Sequence, residues 1–376
     1  MKQILTTAAV VALSTGMAQA GGVERSTQSV GILFEQGNYA EFNIGGFNPD
    51  VSGTVAGGAI SSGDMATGYG SFSLGYKQAL NDNIDLAIIL DQPLGANVHY
   101  PLANQPYPFA GSTASISSHA VTGLMRYKFP QNISVYGGVR IQQASGKADL
   151  KVFSTTAGAY LPYKLDAPNE TDFGYVVGVA WEKPEIAARV ALTYNSKITH
   201  DFDGTETLFN GATIDSTFET VSPESVNLEF QTGIAKDTLL LGSVRWVHWS
   251  QFEIAPDGYR ATLGGGQPGS AGALVAFKNN TTTFNIGVGR RFTDQWSGAV
   301  MFGYEKHDGD TVGNLGPTDG FKSISLAASY QATDQIKITG GLRYVDIGDA
   351  TTNAPTLADF SGNKGWGAGL RVGMSF

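Results

Sequence analysis

The connections in this sequence alternate between very short and long, and that alternation limits its fold more than any other feature. Tight signals stand at "NDN" (81–83), "PQN" (130–132), "KPE" (183–185), "KD" (236–237), "TDQ" (293–295) and "TDQ" (333–335). Each lies between two runs in which apolar and polar residues alternate, the mark of strands joined by hairpin turns. Long stretches rich in Gly, Pro, Thr and Asn separate the resulting hairpins, at 93–117, 146–170, 203–223 and 255–279 among others. Short turns on one side and long loops on the other belong to outer-membrane barrels, whose periplasmic turns are short. Six such turns, with both chain ends in the periplasm, call for seven outside loops and fourteen strands. The strands are expected near 38–48, 68–80, 83–92, 118–129, 132–145, 171–182, 186–202, 222–235, 238–254, 280–292, 295–307, 320–332, 335–348 and 364–376.

Both ends of the chain agree. The run "MKQILTTAAVVALSTGMAQA" has a basic start, a short apolar centre and an Ala-Gln-Ala exit, which predicts a secretory leader over residues 1–20. Its apolar centre is far shorter than the ~20 residues of a spanning helix. At the other end, Trp366, Ala368, Leu370, Val372, Met374 and Phe376 alternate with small or polar residues. A chain that ends on an aromatic of an apolar strand face fits a last strand that seals a barrel in lipid. A soluble sandwich or propeller would explain the alternation alone, but neither the short-and-long rhythm nor the terminal aromatic.

Composition narrows the function. The chain has no cysteine, so disulfides and thiol chemistry are excluded. Charged residues make up 15%, against ~25% in soluble domains, and the net charge of −9 speaks against nucleic acid as a partner. The five histidines stand in no GxSxG or HExxH context, and no metal-ligand spacing occurs. No cofactor, metal or enzymatic activity is expected, although a triad can still be assembled in space from distant residues.

The strand faces sort the charges. Apolar positions such as Val135, Val139 and Ile141 share one face, and Arg140 lies on the other. With the apolar face toward lipid, Arg126, Arg140, Arg189, Arg245, Arg343 and Arg371 point into the lumen. A charge on the lipid face at mid-membrane would cost ~2–4 kcal/mol. Arg140, Arg245 and Arg343 lie at a middle height and are the candidates for an anionic head-group site, because a guanidinium offers a carboxylate two hydrogen bonds. The alternative is that lumenal acids and a plug pair with them.

Four stretches resemble the FadL-type outer-membrane transporters of long-chain fatty acids and other hydrophobic compounds. They are "GGVERSTQSVGILFEQGNYAEF" at the mature start, "ALTYNSKITHDFDG" (191–204), "SPESVNLEFQTGIAKDTLLLGSVRWVHWSQFE" (222–253) and the closing strand. Trp246, Trp249 and Ser250 are similar to the family's W-x-x-W-S stretch, whereas "FNPDVSG" stands where an NPA-type motif follows the family's hatch. The resemblance implies an N-terminal hatch over residues 21–37 that plugs a barrel of residues 38–376. It also implies an outside groove built by the third and fourth loops. Here those loops would supply Tyr160, Leu161, Tyr163, Leu165, Leu208, Phe209 and Ile214. Exposed apolar loop residues are costly unless an apolar ligand or other loops cover them.

The expectation is an all-β transmembrane antiparallel barrel of about fourteen strands in the bacterial outer membrane, with a short hatch in its lumen. It would take up long-chain fatty acids or similar hydrophobic molecules passively. Its partners would be that ligand, outer-membrane lipid and, through the last strand, the barrel-assembly machinery. A general diffusion porin for small polar solutes is the alternative.

Overall fold

The alternating runs form strands because one face of each can meet lipid while the other meets a polar interior. The structure, a computed structural model, describes residues 22–154, 157–262 and 272–376, so the expected leader lies outside the described residues. Fourteen antiparallel strands close into one barrel. They are β1 (Tyr39–Asp50), β2 (Tyr69–Ala79), β3 (Ile84–Asp91), β4 (Thr113–Lys128), β5 (Ile133–Ser154), β6 (Ala159–Lys183) and β7 (Ala188–Asn195). The second half comprises β8 (Ser225–Ala235), β9 (Thr238–Val247), β10 (Thr281–Arg291), β11 (Trp296–Glu305), β12 (Phe321–Gln331), β13 (Ile336–Ile347) and β14 (Lys364–Ser375). Each pairs with the next, and β1 meets β14 from Tyr39 opposite Ser375 to Asp50 opposite Lys364. Among the described residues no helix is long and apolar enough to cross a membrane.

The outward face is an apolar belt that includes Ile88, Val139, Phe302, Leu342 and Trp366. Phe376 is exposed on that belt and stacks at 6.1 Å on Tyr76, so the terminal aromatic does face lipid. Arg126, Arg140, Arg245 and Arg343 are buried on the inward face, and Arg189 and Arg371 are half-buried. Arg290 is exposed, next to a short turn.

The outside connections differ from their expected irregular form. Most of 146–170 is a tall hairpin in which β5 and β6 continue to Ser154 and Ala159. Most of 203–223 is a second hairpin, in which Ile198–Thr207 pairs with Thr213–Ser222 above β7 and β8. The period-two pattern persists there, but its outward positions turn from apolar to charged. Lys147 pairs with Asp166 at 3.0 Å and Lys164 with Asp149 at 2.7 Å, as suits strands that have left the bilayer. The expected strand 238–254 ends instead at Val247, because Trp249 turns inward and is buried. β3 also breaks: residues 92–94 interrupt it before Gly95–His99 resumes pairing with β4.

Candidate functional site

Two layers fill the lumen. The lower one is the N-terminal segment, which runs inside the barrel from the outer half toward the periplasm. Near its start, Gly95 N donates to Val23 O at 2.8 Å and Arg25 N donates to Pro93 O at 2.9 Å. Ser26 donates to Asp91 at 2.6 Å, Ser29 donates to Glu229 at 2.7 Å, and Thr27 O accepts from Asn227 at 2.9 Å. A short turn at Gly31–Phe34 buries Val30, Ile32 and Leu33 against Ala87, Leu124 and Val176. The Phe34 ring lies between the guanidinium groups of Arg126 and Arg189, at 4.6 and 4.5 Å. Lower still, Lys77 donates to Gly37 O at 2.9 Å.

The three head-group candidates belong to this layer. Arg245 grips the Glu24 carboxylate, with Nε 2.9 and 3.1 Å from its two oxygens, and also donates to Ser225 at 3.1 Å and Asn227 at 2.5 Å. Arg140 donates to Gln28 and, at 2.9 Å, to Thr122. Arg343 donates to Ser323 at 3.0 Å and lies 5.4 Å from the Phe321 ring. A small cavity of about 110 Å³ beside the segment is lined by Arg189, Arg245, Arg343 and Glu229.

The upper layer is a cavity of about 570 Å³ between this segment and the outside loops. Leu94, Ile116, Phe202, Phe218, Phe252 and Leu274 give it apolar walls. None of Arg140, Arg245 and Arg343 lines it; its charged lining is Glu253, Glu305, Asp308, Asp310 and Asp319 against Lys147, Lys278 and Lys306. Of the seven loop residues named from the resemblance, Leu165 lines this cavity. Tyr163 is buried beside it, donates to Glu206 at 2.7 Å and meets the Tyr259 ring at 5.2 Å. Leu208 packs on the same cluster, and Leu161 and Ile214 are half-buried. Tyr160 meets the rings of Phe109 and Phe153, while Phe209 is exposed at the tip of the second hairpin.

One wall of the cavity holds residues that the sequence did not single out. Ile198–Thr207 and Thr213–Ser222 face each other in register, which sets Phe202 opposite Phe218 and His200 opposite Thr220. The two phenyl rings stack at 5.4 Å. Below them Asp172 lies 2.8 Å from His200 Nδ1, Ser222 Oγ lies 3.2 Å from His200 Nε2, and Gln142 donates to Ser222 at 2.6 Å. Single polar residues in an alternating strand look like ordinary lumen lining, and only the strand register shows that they form a row.

The wall itself is interrupted where β3 breaks. β2 pairs with β3 only from Leu74 onward, and a cavity of about 40 Å³ there touches both lumenal Asp91 and lipid-facing Ile44, Phe72 and Leu370.

A closed outer-membrane barrel with its N-terminal segment inside the lumen and an apolar chamber beneath its loops is built as a transport channel for hydrophobic compounds. Residues 37–375 match the profile of the outer membrane protein transport protein family (OMPP1/FadL/TodX), and the chain belongs to that family. Among solved structures it is similar to a Pseudomonas aeruginosa FadL homologue, with 17% identity, coverage of 97% and 98% of the two chains, and a TM-score of 0.77. It is also similar to the Pseudomonas putida toluene transporter TodX, at 12% identity over 91% and 90% of the chains with a TM-score of 0.63. The Ralstonia pickettii toluene transporter TbuX aligns at 13% identity over 90% of each chain, with a TM-score of 0.63. No curated sequence matches the chain.

Proposed function

We propose that this protein admits uncharged hydrophobic molecules of the monoaromatic class passively, holding them in the 570 Å³ cavity before release past the hatch. The observation that carries this reading is an apolar chamber that none of Arg140, Arg245 and Arg343 lines. A carboxylate entering it finds no guanidinium among the described lining residues, while a hydrocarbon leaves water for apolar walls at about 0.8 kcal/mol per buried CH₂. The apolar side chains of the tall hairpins, Leu165 and Phe209 among them, serve capture, and the break in β3 offers an exit toward lipid. The step needs no cofactor and no covalent chemistry.

Long-chain fatty acids are the second reading, favoured by the small cavity at Arg189, Arg245 and Arg343, where a head group would find cations. Uptake of labelled toluene and labelled oleate by cells lacking the protein, with and without its return, separates the two. Restored toluene uptake supports the first reading and restored oleate uptake the second. Restoration of neither, with high ion conductance, would favour a polar-solute porin.

A further inference from the structure

Beyond general hydrophobicity, and resting on the proposed function, the cavity wall shows a selective feature. Thr220 is 8% exposed, it lines the cavity, and its Oγ1 has no hydrogen-bond partner among the described residues. A buried hydroxyl without a partner is costly and calls for an explanation. Its neighbours are already committed to one another. With Nδ1–H donating to Asp172, His200 keeps a lone pair on Nε2 for the Ser222 hydroxyl, whose oxygen in turn accepts from Gln142. Nothing in that row turns toward Thr220, although His200 is its cross-strand partner. Two residues away on the same face, Phe218 and its partner Phe202 present a stacked aromatic surface to the same cavity.

We infer that Thr220 is the polar anchor of a ligand subsite for an aromatic or acyl molecule that carries one uncharged hydroxyl. The apolar body would lie on Phe202 and Phe218, and the ligand hydroxyl would satisfy Thr220 Oγ1. The Asp172–His200–Ser222–Gln142 row holds the wall rigid beside it and is itself filled. The order Asp172–His200–Ser222 is also that by which hydrolases align a nucleophilic serine. Here Gln142 lies nearer to the Ser222 oxygen than His200 does, at 2.6 against 3.2 Å.

The test is binding of p-cresol and p-xylene, which differ by a hydroxyl in place of a methyl group, to the purified full chain in detergent, read by calorimetry. Thr220→Val keeps the shape and removes the hydroxyl, and Thr220→Ser restores a hydroxyl. Thr220→Val should weaken p-cresol binding about five-fold, leave p-xylene no weaker, and be rescued in Thr220→Ser. Equal changes for the two probes, or no change for either, would overturn the subsite while p-xylene binding kept the proposed function standing. Wild-type protein that binds neither probe would remove both. Covalent capture of a fluorophosphonate on Ser222 would replace the binding role of this wall with a hydrolytic one.

Discussion

The lower and upper halves of the lumen are built from different forces. The lower half adds to its apolar cluster around Ile32 and Leu33 a set of ion pairs: Arg245 to Glu24, Arg371 to Glu35 and Glu41, and Arg126 to Glu182, with Lys77 and Lys128 each 3.2 Å from Asp85. The upper half is held by aromatic and aliphatic contact, as in the cluster of Trp249, Phe252 and Phe277 and that of Leu150, Tyr163 and Leu165. Buried ion pairs need one fixed geometry, and breaking one leaves an uncompensated charge. Apolar walls tolerate many occupants, because dispersion and hydration are not directional. A plug suits the first kind of interior and a chamber for varied small molecules suits the second.

The comparison is broken most directly at Arg245. Arg245→Ala strands the Glu24 carboxylate, a loss of about 3–5 kcal/mol for a buried pair, and should loosen the hatch. Single-channel conductance in planar bilayers should then rise well above the wild-type level, and an unchanged conductance would deny the ionic tie its plugging role. A smaller, complementary effect is expected above. Phe202→Ala removes one face of the aromatic stack and should lower toluene affinity about ten-fold, with conductance unchanged. A rise in conductance would show that the two halves are not separable. The smallest effect belongs to charges outside both. Lys164→Ala deletes an exposed pair with Asp149, worth about 0.2–1 kcal/mol, and should move neither conductance nor the thermal unfolding midpoint measurably.

How much was legible in the sequence follows the same division. The barrel strands were legible because lipid imposes apolar residues at every second position. The ends of the tall hairpins were not, since above the bilayer the outward residues become Lys147, Asp149 and Asp166 and the contrast fades. Residue type placed the arginines in the lumen. Their partners were hidden by distance along the chain: Glu24 stands 221 residues before Arg245, and Gln28 stands 112 before Arg140. The Thr220 row was hidden for another reason, because a missing partner is a property of the folded register and has no sequence pattern.

The seam between β1 and β14 carries a consequence for assembly. Its rungs join residues at opposite ends of the chain, and Phe47 and Tyr39 of β1 lie over Gly365 and Gly373 of β14, where any larger residue would collide with the ring. Until those two strands meet, each presents an open edge of unpaired N–H and C=O groups to its surroundings. Closure is therefore also a choice of register, since a slip of two residues would bring Arg371 or Ser375 under the Tyr39 ring in place of Gly373. The first and last strands together act as a lock and its key, matched ring to glycine across the seam.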